Sequence, residues 1–312
     1  MVPSYNKVCA LGHRAVQHIF DGGPIEVTEK LDGSQFAFGI DHEGEVCYRS
    51  KGRQIPRHST AENDLFYPVI EYVEFMFANN MIPQGYWFYG ETLKSPRHST
   101  LCYERIPRNH FALFGAVNTA DTTDWSSHVE LAALANEMQV DVVPKLDMDP
   151  SWVNPEGIVE FMQNPPESIL GGVPMEGVVL KDYTQTMLFG PTEFPITTAK
   201  FVSEKFKEVH HRDWKAKNTG AGKWAEFRAQ FRTEARWNKA IQHLREAGEL
   251  QGAPQDIGPL LKEMARDILE EEREVIQAFL WKEFGKMVVH EAQRGFPEWY
   301  KEQLALGNVD AS

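Results

Sequence analysis

Ile25-Glu26-Val27-Thr28-Glu29-Lys30-Leu31-Asp32-Gly33-Ser34-Gln35-Phe36 decides how this chain is read. Ile25, Val27 and Glu29 alternate with Glu26, Thr28 and Lys30, the period of a strand with one buried face. Asp32-Gly33-Ser34 is a turn signal, and the alternation resumes at Phe36 and Phe38. A lysine at a strand end beside a tight glycine turn is well placed to act as a nucleophile. The same residues also describe a β-hairpin with a surface lysine. The surrounding chain separates the two readings.

Working outward, runs 34–40 and 45–50 follow 25–30, with Asp41-His42-Glu43-Gly44 as a hairpin link, so an antiparallel meander is expected rather than a βαβ unit. The third run leads into Tyr48-Arg49-Ser50-Lys51-Gly52-Arg53, where cations around a glycine suit a phosphate or carboxylate or form a solvated strand end. Leu65, Val69, Ile70, Val73, Met76 and Phe77 predict an amphipathic helix over 62–79, in which Pro68 fits only in the first turn or as the helix start. Tyr86 to Leu93 is an aromatic strand ending in Gly90-Glu91, where a carboxylate is costly unless paired or used. Pro-Arg-His-Ser-Thr occurs at 56–60 and again at 96–100, as surface turns or as phosphate grips. Phe111 to Val117, including Phe114, reads as a buried strand. A helix over 127–139, a short strand over 140–143 and a helix near 156–163 follow. Met175-Glu176-Gly177-Val178-Val179-Leu180-Lys181 is a strand with a charge at each end, and 198–207 is another, carrying Lys200.

After about residue 208 the pattern becomes helical. Arg228, Arg232 and Arg236 recur every four residues and are expected on one helical face. Interleaved with Trp224, Phe227 and Phe231, they are candidate RNA-backbone contacts, or a solvated face. Thr219-Gly220-Ala221-Gly222-Lys223 lacks the spacing and the hydroxyl residue of a phosphate loop. His210-His211 has no third metal ligand nearby.

Composition bounds the rest. A chain of 312 residues accommodates two domains, and 42% hydrophobic with 25% charged residues is ordinary for a globular protein. Cys9, Cys47 and Cys102 are odd in number and scattered, so neither a disulfide framework nor a zinc knuckle is indicated, and a reducing cytoplasm is expected. Met1 to Lys7 lacks the apolar core of a signal peptide, and no apolar run spans a membrane. A net charge of −13 argues against bulk-charge binding of nucleic acid. It leaves room for a local basic groove, and the bases between Arg212 and Arg245 are opposed only by Asp213, Glu226 and Glu234.

Taken in order, Lys30-x-Asp32-Gly33, Arg49 to Arg53, Gly90-Glu91, Phe111 to Phe114, Glu176-Gly-Val-Val-Leu-Lys181 and Lys200 each lie at or near a predicted strand end. This set resembles the covalent nucleotidyltransferase superfamily of polynucleotide ligases and mRNA capping enzymes over roughly residues 25–207. The early nucleophile and the helical tail, in place of a β-rich OB-fold, look like the ATP-dependent RNA ligases of bacteriophage type that seal nicks in duplex RNA.

The resemblance implies an α+β fold: an antiparallel-sheet nucleotidyltransferase (ATP-grasp-like ligase) domain over 1–208 and a helical C-terminal domain over 209–312 that helps to hold RNA. It implies that Lys30 attacks ATP to give lysyl-AMP, that AMP passes to an RNA 5′-phosphate, and that a 3′-OH then displaces AMP. Lysine must lose its proton to attack, and lowering its pKa from about 10.4 to about 7 costs about 4–5 kcal/mol. Lys200, Lys181, Arg49 and a metal ion are candidates to supply this. By the same resemblance Lys200 contacts the α-phosphate, Glu176 binds Mg²⁺ or Mn²⁺, Glu91 accepts from the ribose, Phe114 stacks on adenine, and Arg49 or Arg53 holds a phosphate. Glu29, Asp32, Gly33 and Lys181 complete the expected nucleotide site. The expected partner is RNA with 3′-OH and 5′-phosphate ends, such as a nicked duplex, with a separate end-repair enzyme and no membrane. The location would be the cytoplasm, the host's if the chain is phage-encoded.

Two positions depart from the relatives' pattern: Gly115 stands where an Asp commonly follows the stacking Phe, and Val202 stands where Lys-x-Lys ends. The alternatives are DNA ligation, GTP-dependent capping, and a nucleic-acid-binding protein that keeps the fold without joining ends.

Overall fold

The computed structural model describes residues 1–57, 65–98, 101–202 and 222–306. Its strands, in chain order, are β1 (Cys9–Ala10), β2 (Glu26–Lys30), β3 (Ser34–Ile40), β4 (Val46–Ser50), β5 (Gln54–Ile55), β6 (Tyr86–Thr92), β7 (Phe111–Asn118), β8 (Asp141–Val142), β9 (Gly177–Asp182), β10 (Met187–Phe189), β11 (Thr192–Phe194) and β12 (Thr197–Val202). A four-stranded sheet runs β1-β12-β9-β2 and a six-stranded sheet runs β5-β4-β3-β6-β7-β8. Neighbouring strands are antiparallel except β1 with β12 and β7 with β8. The α+β, antiparallel-dominated class expected from the sequence is the one observed.

The meander expected over 25–50 holds only for β3 and β4. β2 pairs with β9, not with β3. The Asp32-Gly33-Ser34 turn therefore carries the chain from one sheet to the other instead of closing a hairpin. Local alternation could not reveal this, because the partner strand lies about 150 residues downstream in the pattern that pairs Lys30 with Gly177.

Side chains alternate between the two faces of each sheet, as the two-residue period dictates. Val27, Val178, Leu180 and Ala199 of the first sheet pack with Val16, Ile19, Ile158 and Met162. The opposite face carries Glu26, Thr28 and Lys30 of β2, Val179 and Lys181 of β9, and Thr198 and Lys200 of β12. In the second sheet Phe36, Phe38, Tyr48 and Phe88 pack against Val69, Val73 and Met76 of α1 (Tyr67–Ala78) and Leu131 and Ala135 of α2 (His128–Glu137). Full burial of each such side chain contributes about 1.5–3 kcal/mol, so this aromatic layer is the main anchor of the sheet. Its other face holds Ala37, Trp87 and Tyr89, covered by Val2, Tyr5 and Trp125. Pro68 lies in the first turn of α1, as its missing N–H requires. Ser127 and Glu130 form a capping box at α2. Asn154 caps α3 (Pro155–Phe161).

The helices that follow are α4 (Gly222–Ala229), α5 (Glu234–Ala247), α6 (Ile257–Glu271), α7 (Arg273–Gln293) and α8 (Phe296–Ala305). The chain divides into two compact units, Met1–Ala265 and Arg266–Ser312. The second contains α7 and α8, with Trp281, Met287, Val288 and Trp299 exposed. The boundary expected near 208 falls in 203–221, outside the described residues. So do the end of the strand expected over 198–207, with Lys205 and Lys207, and His210, His211, Arg212, Lys215 and Lys217. Residues 58–60 and 99–100 of the two repeated pentapeptides lie outside as well. Among the described residues no helix is long and apolar enough to cross a membrane.

Arg228, Arg232 and Arg236 do not share one helical face. Arg228 lies on α4, Arg232 in the connection, and Arg236 on α5. Thr233 breaks the run: its hydroxyl accepts from the Arg236 N–H and starts a new helix. The four-residue period survived in sequence across this break, and the cap was the signal to weigh against it.

Candidate active site

The site begins where β2 and β9 end. Lys30 is opposite Gly177, so Glu176, one residue before β9, comes beside the lysine. Lys30 Nζ donates to Glu176 Oε2 at 2.5 Å, and the two side chains are 26% and 17% exposed, so ligands can reach the pair. Glycine at 177 is a steric requirement: a Cβ there would lie 2.2 Å from the Phe201 carbonyl oxygen of β12. On β12, Lys200 pairs with Val179 and Val202 with Gly177. Lys200 therefore shares the charged face with Lys30, and Val202 occupies the register position level with Lys30.

Burial works to lower the Lys30 pKa, but the Glu176 carboxylate, helped by Glu91 and Asp32, outweighs it and holds the ammonium. Glu176 is itself raised, by burial and by Asp32, against the pull of Lys30 and Lys200. Glu91 is pushed up to about 8 by burial, with Glu246, Asp32 and Glu176 adding to it and Lys30 opposing. Lys30, Asp32, Glu91, Glu176 and Lys200 are thus one electrostatic cluster drawn from both sheets.

The turn after Lys30 is held from several sides. Asp32 Oδ2 accepts from the Leu101 N–H at 2.8 Å, and the Asp32 N–H donates to the Tyr103 hydroxyl at 2.8 Å. The Gly33 N–H donates to Glu91 Oε1 at 3.1 Å. A Cβ on Gly33 would meet Glu91 Cγ at 2.7 Å and the Thr92 carbonyl oxygen at 2.8 Å. The Asp-Gly pair is therefore a close-approach device. The Lys94 N–H donates to His98 Nδ1 at 3.3 Å, leaving Nε2 as the protonated nitrogen that faces Ser34 Oγ at 2.8 Å. Burial depresses His98 to about 4, in keeping with a neutral ring.

Other expected site residues are placed differently. Lys181 pairs with Glu26, four positions along β9 from Gly177 and so about 13 Å from the Lys30 level. It is 2% exposed and donates to Glu26 Oε1 at 3.3 Å and to the Phe114 carbonyl at 2.6 Å. It ties the two sheets together away from Lys30. Glu29 points to the apolar side and accepts from the Ile169 N–H at 3.1 Å. Arg49 lies on the second sheet's inner face opposite Ala37 and donates to Ser4 Oγ at 2.6 Å. Arg53 is exposed beside Gly248. Phe114 sits at the bulge where the β6–β7 register shifts, with its ring 5.0 Å from that of Tyr5. Gly115 leaves room for Tyr5 and Trp125, each 3.2 Å from where its Cβ would be. Sequence reading missed Tyr5, Gln242 and Glu246, since no local pattern marks a residue whose partner is remote, and it noticed His98 only as part of a repeated loop, as a surface turn or phosphate grip, whereas the residue is buried against Ser34.

Among the described residues no group of three or more His, Cys, Asp or Glu is arranged to hold a metal. A Mg²⁺-type ion bound by one carboxylate and by phosphate oxygens still fits Glu176, whose partner is a displaceable ammonium.

A family model described as RNA ligase matches residues 23–202. No curated protein matches the chain. The solved structure of Naegleria gruberi RNA ligase with PPi is 19% identical with a TM-score of 0.50, over 67% of this chain and 58% of that one. A variant of that ligase with ATP and Mn is 18% identical with a TM-score of 0.47, over 65% and 57%. Another, with AMP and Mn, is 19% identical with a TM-score of 0.48, over 65% and 57%. The chain therefore matches less than two thirds of the length of these structures, and the first of them shares its fold.

Proposed function

Because the chain belongs to the RNA ligase family, we propose that it is an ATP-dependent RNA ligase joining 3′-OH and 5′-phosphate RNA ends through AMP carried on Lys30. The observation that carries this reading is the reachable lysine at the junction of two sheets, paired with Glu176, on the same sheet face as Lys200 and electrostatically coupled to Glu91. The Naegleria ligase that shares the fold was solved with PPi, the leaving group such a reaction releases from ATP.

In the first step Lys30 Nζ, once deprotonated, forms a bond to the α-phosphorus of ATP, and the bond to the bridging oxygen breaks to release pyrophosphate. An RNA 5′-phosphate oxygen then takes the adenylyl group and frees Lys30. The 3′-OH oxygen last attacks the adenylated phosphate, loses its proton, and expels AMP. Glu176 would hold a divalent ion, which would supply positive charge beside the phosphates; with its carboxylate so engaged, Glu176 would hold the Lys30 proton less firmly. Lys200, on the same face, offsets charge on the α-phosphate. Glu91, bonded to the turn that follows Lys30, meets the ribose.

Within the family, the all-helical described residues after β12 favour the bacteriophage-like, nick-sealing type, with Arg228, Arg232 and Arg236 as RNA-backbone contacts. Incubation with ATP, Mg²⁺ and RNAs bearing 3′-OH and 5′-phosphate ends, as a nicked duplex and as single strands, tests the reading. Joined product from the nick above that from single strands, absent with Lys30→Ala, is expected. No joining of either substrate would contradict it.

A further inference from the structure

Helix α5 reaches the turn that follows the nucleophile. The Gln242 carboxamide nitrogen stands 2.5 Å from the Gly33 carbonyl oxygen and 2.9 Å from Glu246 Oε1, with Ser34 Oγ at 3.3 Å. A carbonyl and a carboxylate only accept, so the nitrogen end of the amide must face them, and both of its hydrogens are engaged there. The Glu246 carboxylate is buried, and through Gln242 it joins α5 to the turn.

The turn is thereby fixed at three places. Asp32 is held by Leu101 and Tyr103, the Gly33 N–H by Glu91, and the Gly33 carbonyl by Gln242. The first two anchors belong to the segments joined to the sheets. The third comes from a helix 209 residues further along the chain. Gln242 grips the carbonyl of the residue whose N–H orients Glu91, so its loss loosens both the lysine's turn and the carboxylate across from it.

We propose that Gln242 is a positioning residue for Lys30, acting through the Gly33 carbonyl, so that α5 serves the covalent step that precedes any contact with RNA. The proposal rests on the ligase reading above. A tail that served RNA alone would leave self-adenylylation untouched.

The test uses the full chain, Mg²⁺ and α-labelled ATP, without RNA. Single-turnover formation of lysyl-AMP is followed over a range of ATP concentrations for wild type, Gln242→Met, which keeps length and helix propensity, and Gln242→Ala. Both variants should lose about tenfold in the rate constant, with half-saturating ATP within about twofold of wild type. The final labelled fraction should be unchanged. A misfolded fraction lowers that endpoint and not the rate constant, so a reduced endpoint at the wild-type rate overturns the proposal. Wild-type rate constants in both variants overturn it as well, while leaving the ligase reading intact. A wild-type protein that takes no label brings down the ligase reading and this proposal together.

Discussion

Lys30 Nζ and Glu176 Oε2 are 2.5 Å apart, and Glu176 holds as an ammonium the lysine that the proposed mechanism needs as a free amine. A desolvated lysine alone would be lowered toward neutrality. Here Glu176, Glu91 and Asp32 reverse that tendency. On the proposed mechanism, one carboxylate would link the protonation of Lys30 to the presence of cation and nucleotide.

Glu176→Gln separates the two duties. Removing the charge should lower the Lys30 pKa, read from the ¹⁵N shift of its labelled side chain. It should also slow lysyl-AMP formation by about 100-fold or more, since charge at the reacting phosphate is no longer offset through residue 176. An unchanged Lys30 titration would contradict the pairing.

Glu91 makes stability depend on pH in the alkaline direction. Its pKa rises from 4.5 to about 8 in the fold, so the folded state favours the protonated form. That stabilisation is complete below about pH 4.5 and is lost as pH rises through about 8. Glu91→Gln, neutral throughout, should gain in Tm relative to wild type between pH 5 and pH 9. A constant difference across that range would contradict it.

His98 works in the acid direction. Its pKa falls from 6.5 to about 4, so the fold favours the neutral ring. Its stabilisation is complete above pH 6.5 and is lost as pH falls through about 4. His98→Gln should flatten the stability curve between those pH values in chemical denaturation, and an unaltered slope would count against a neutral His98.

Gly33→Ala places a methyl group 2.8 Å from the Thr92 carbonyl oxygen and 2.7 Å from Glu91 Cγ. Overpacking against backbone should cost about 1–3 kcal/mol in urea denaturation. Stability equal to wild type would show that the turn is looser than this close approach.

Much of this was legible in the sequence. Strand alternation placed β2, β3, β4, β6, β7 and β9 near their observed bounds and the start of β12 within one residue, and Pro68 marked the first turn of α1, because these signals are local. The pairing of β2 with β9, the brief β1 beside β12, and Tyr5 packed over the second sheet depend on contacts far apart in the chain. No local period encodes them. Lys30, Glu91, Glu176 and Lys200 converge as their strand-end positions led one to expect. Lys181 does not, because strand order alone did not show that β9 runs antiparallel to β2, which carries its far end away from Lys30. The arginine period in the tail misled for a related reason: spacing is blind to the Thr233 cap.

The most direct test of the account is covalent labelling at Lys30. Wild type and Lys30→Ala are incubated with Mg²⁺ and either ATP or GTP labelled at the α-phosphate, denatured, and examined for label retained on the protein. Label from ATP on wild type, absent from Lys30→Ala and mapped to Lys30 by peptide mass, is the predicted result. Label from GTP alone, or no label on folded protein that carries no AMP by mass, would contradict it.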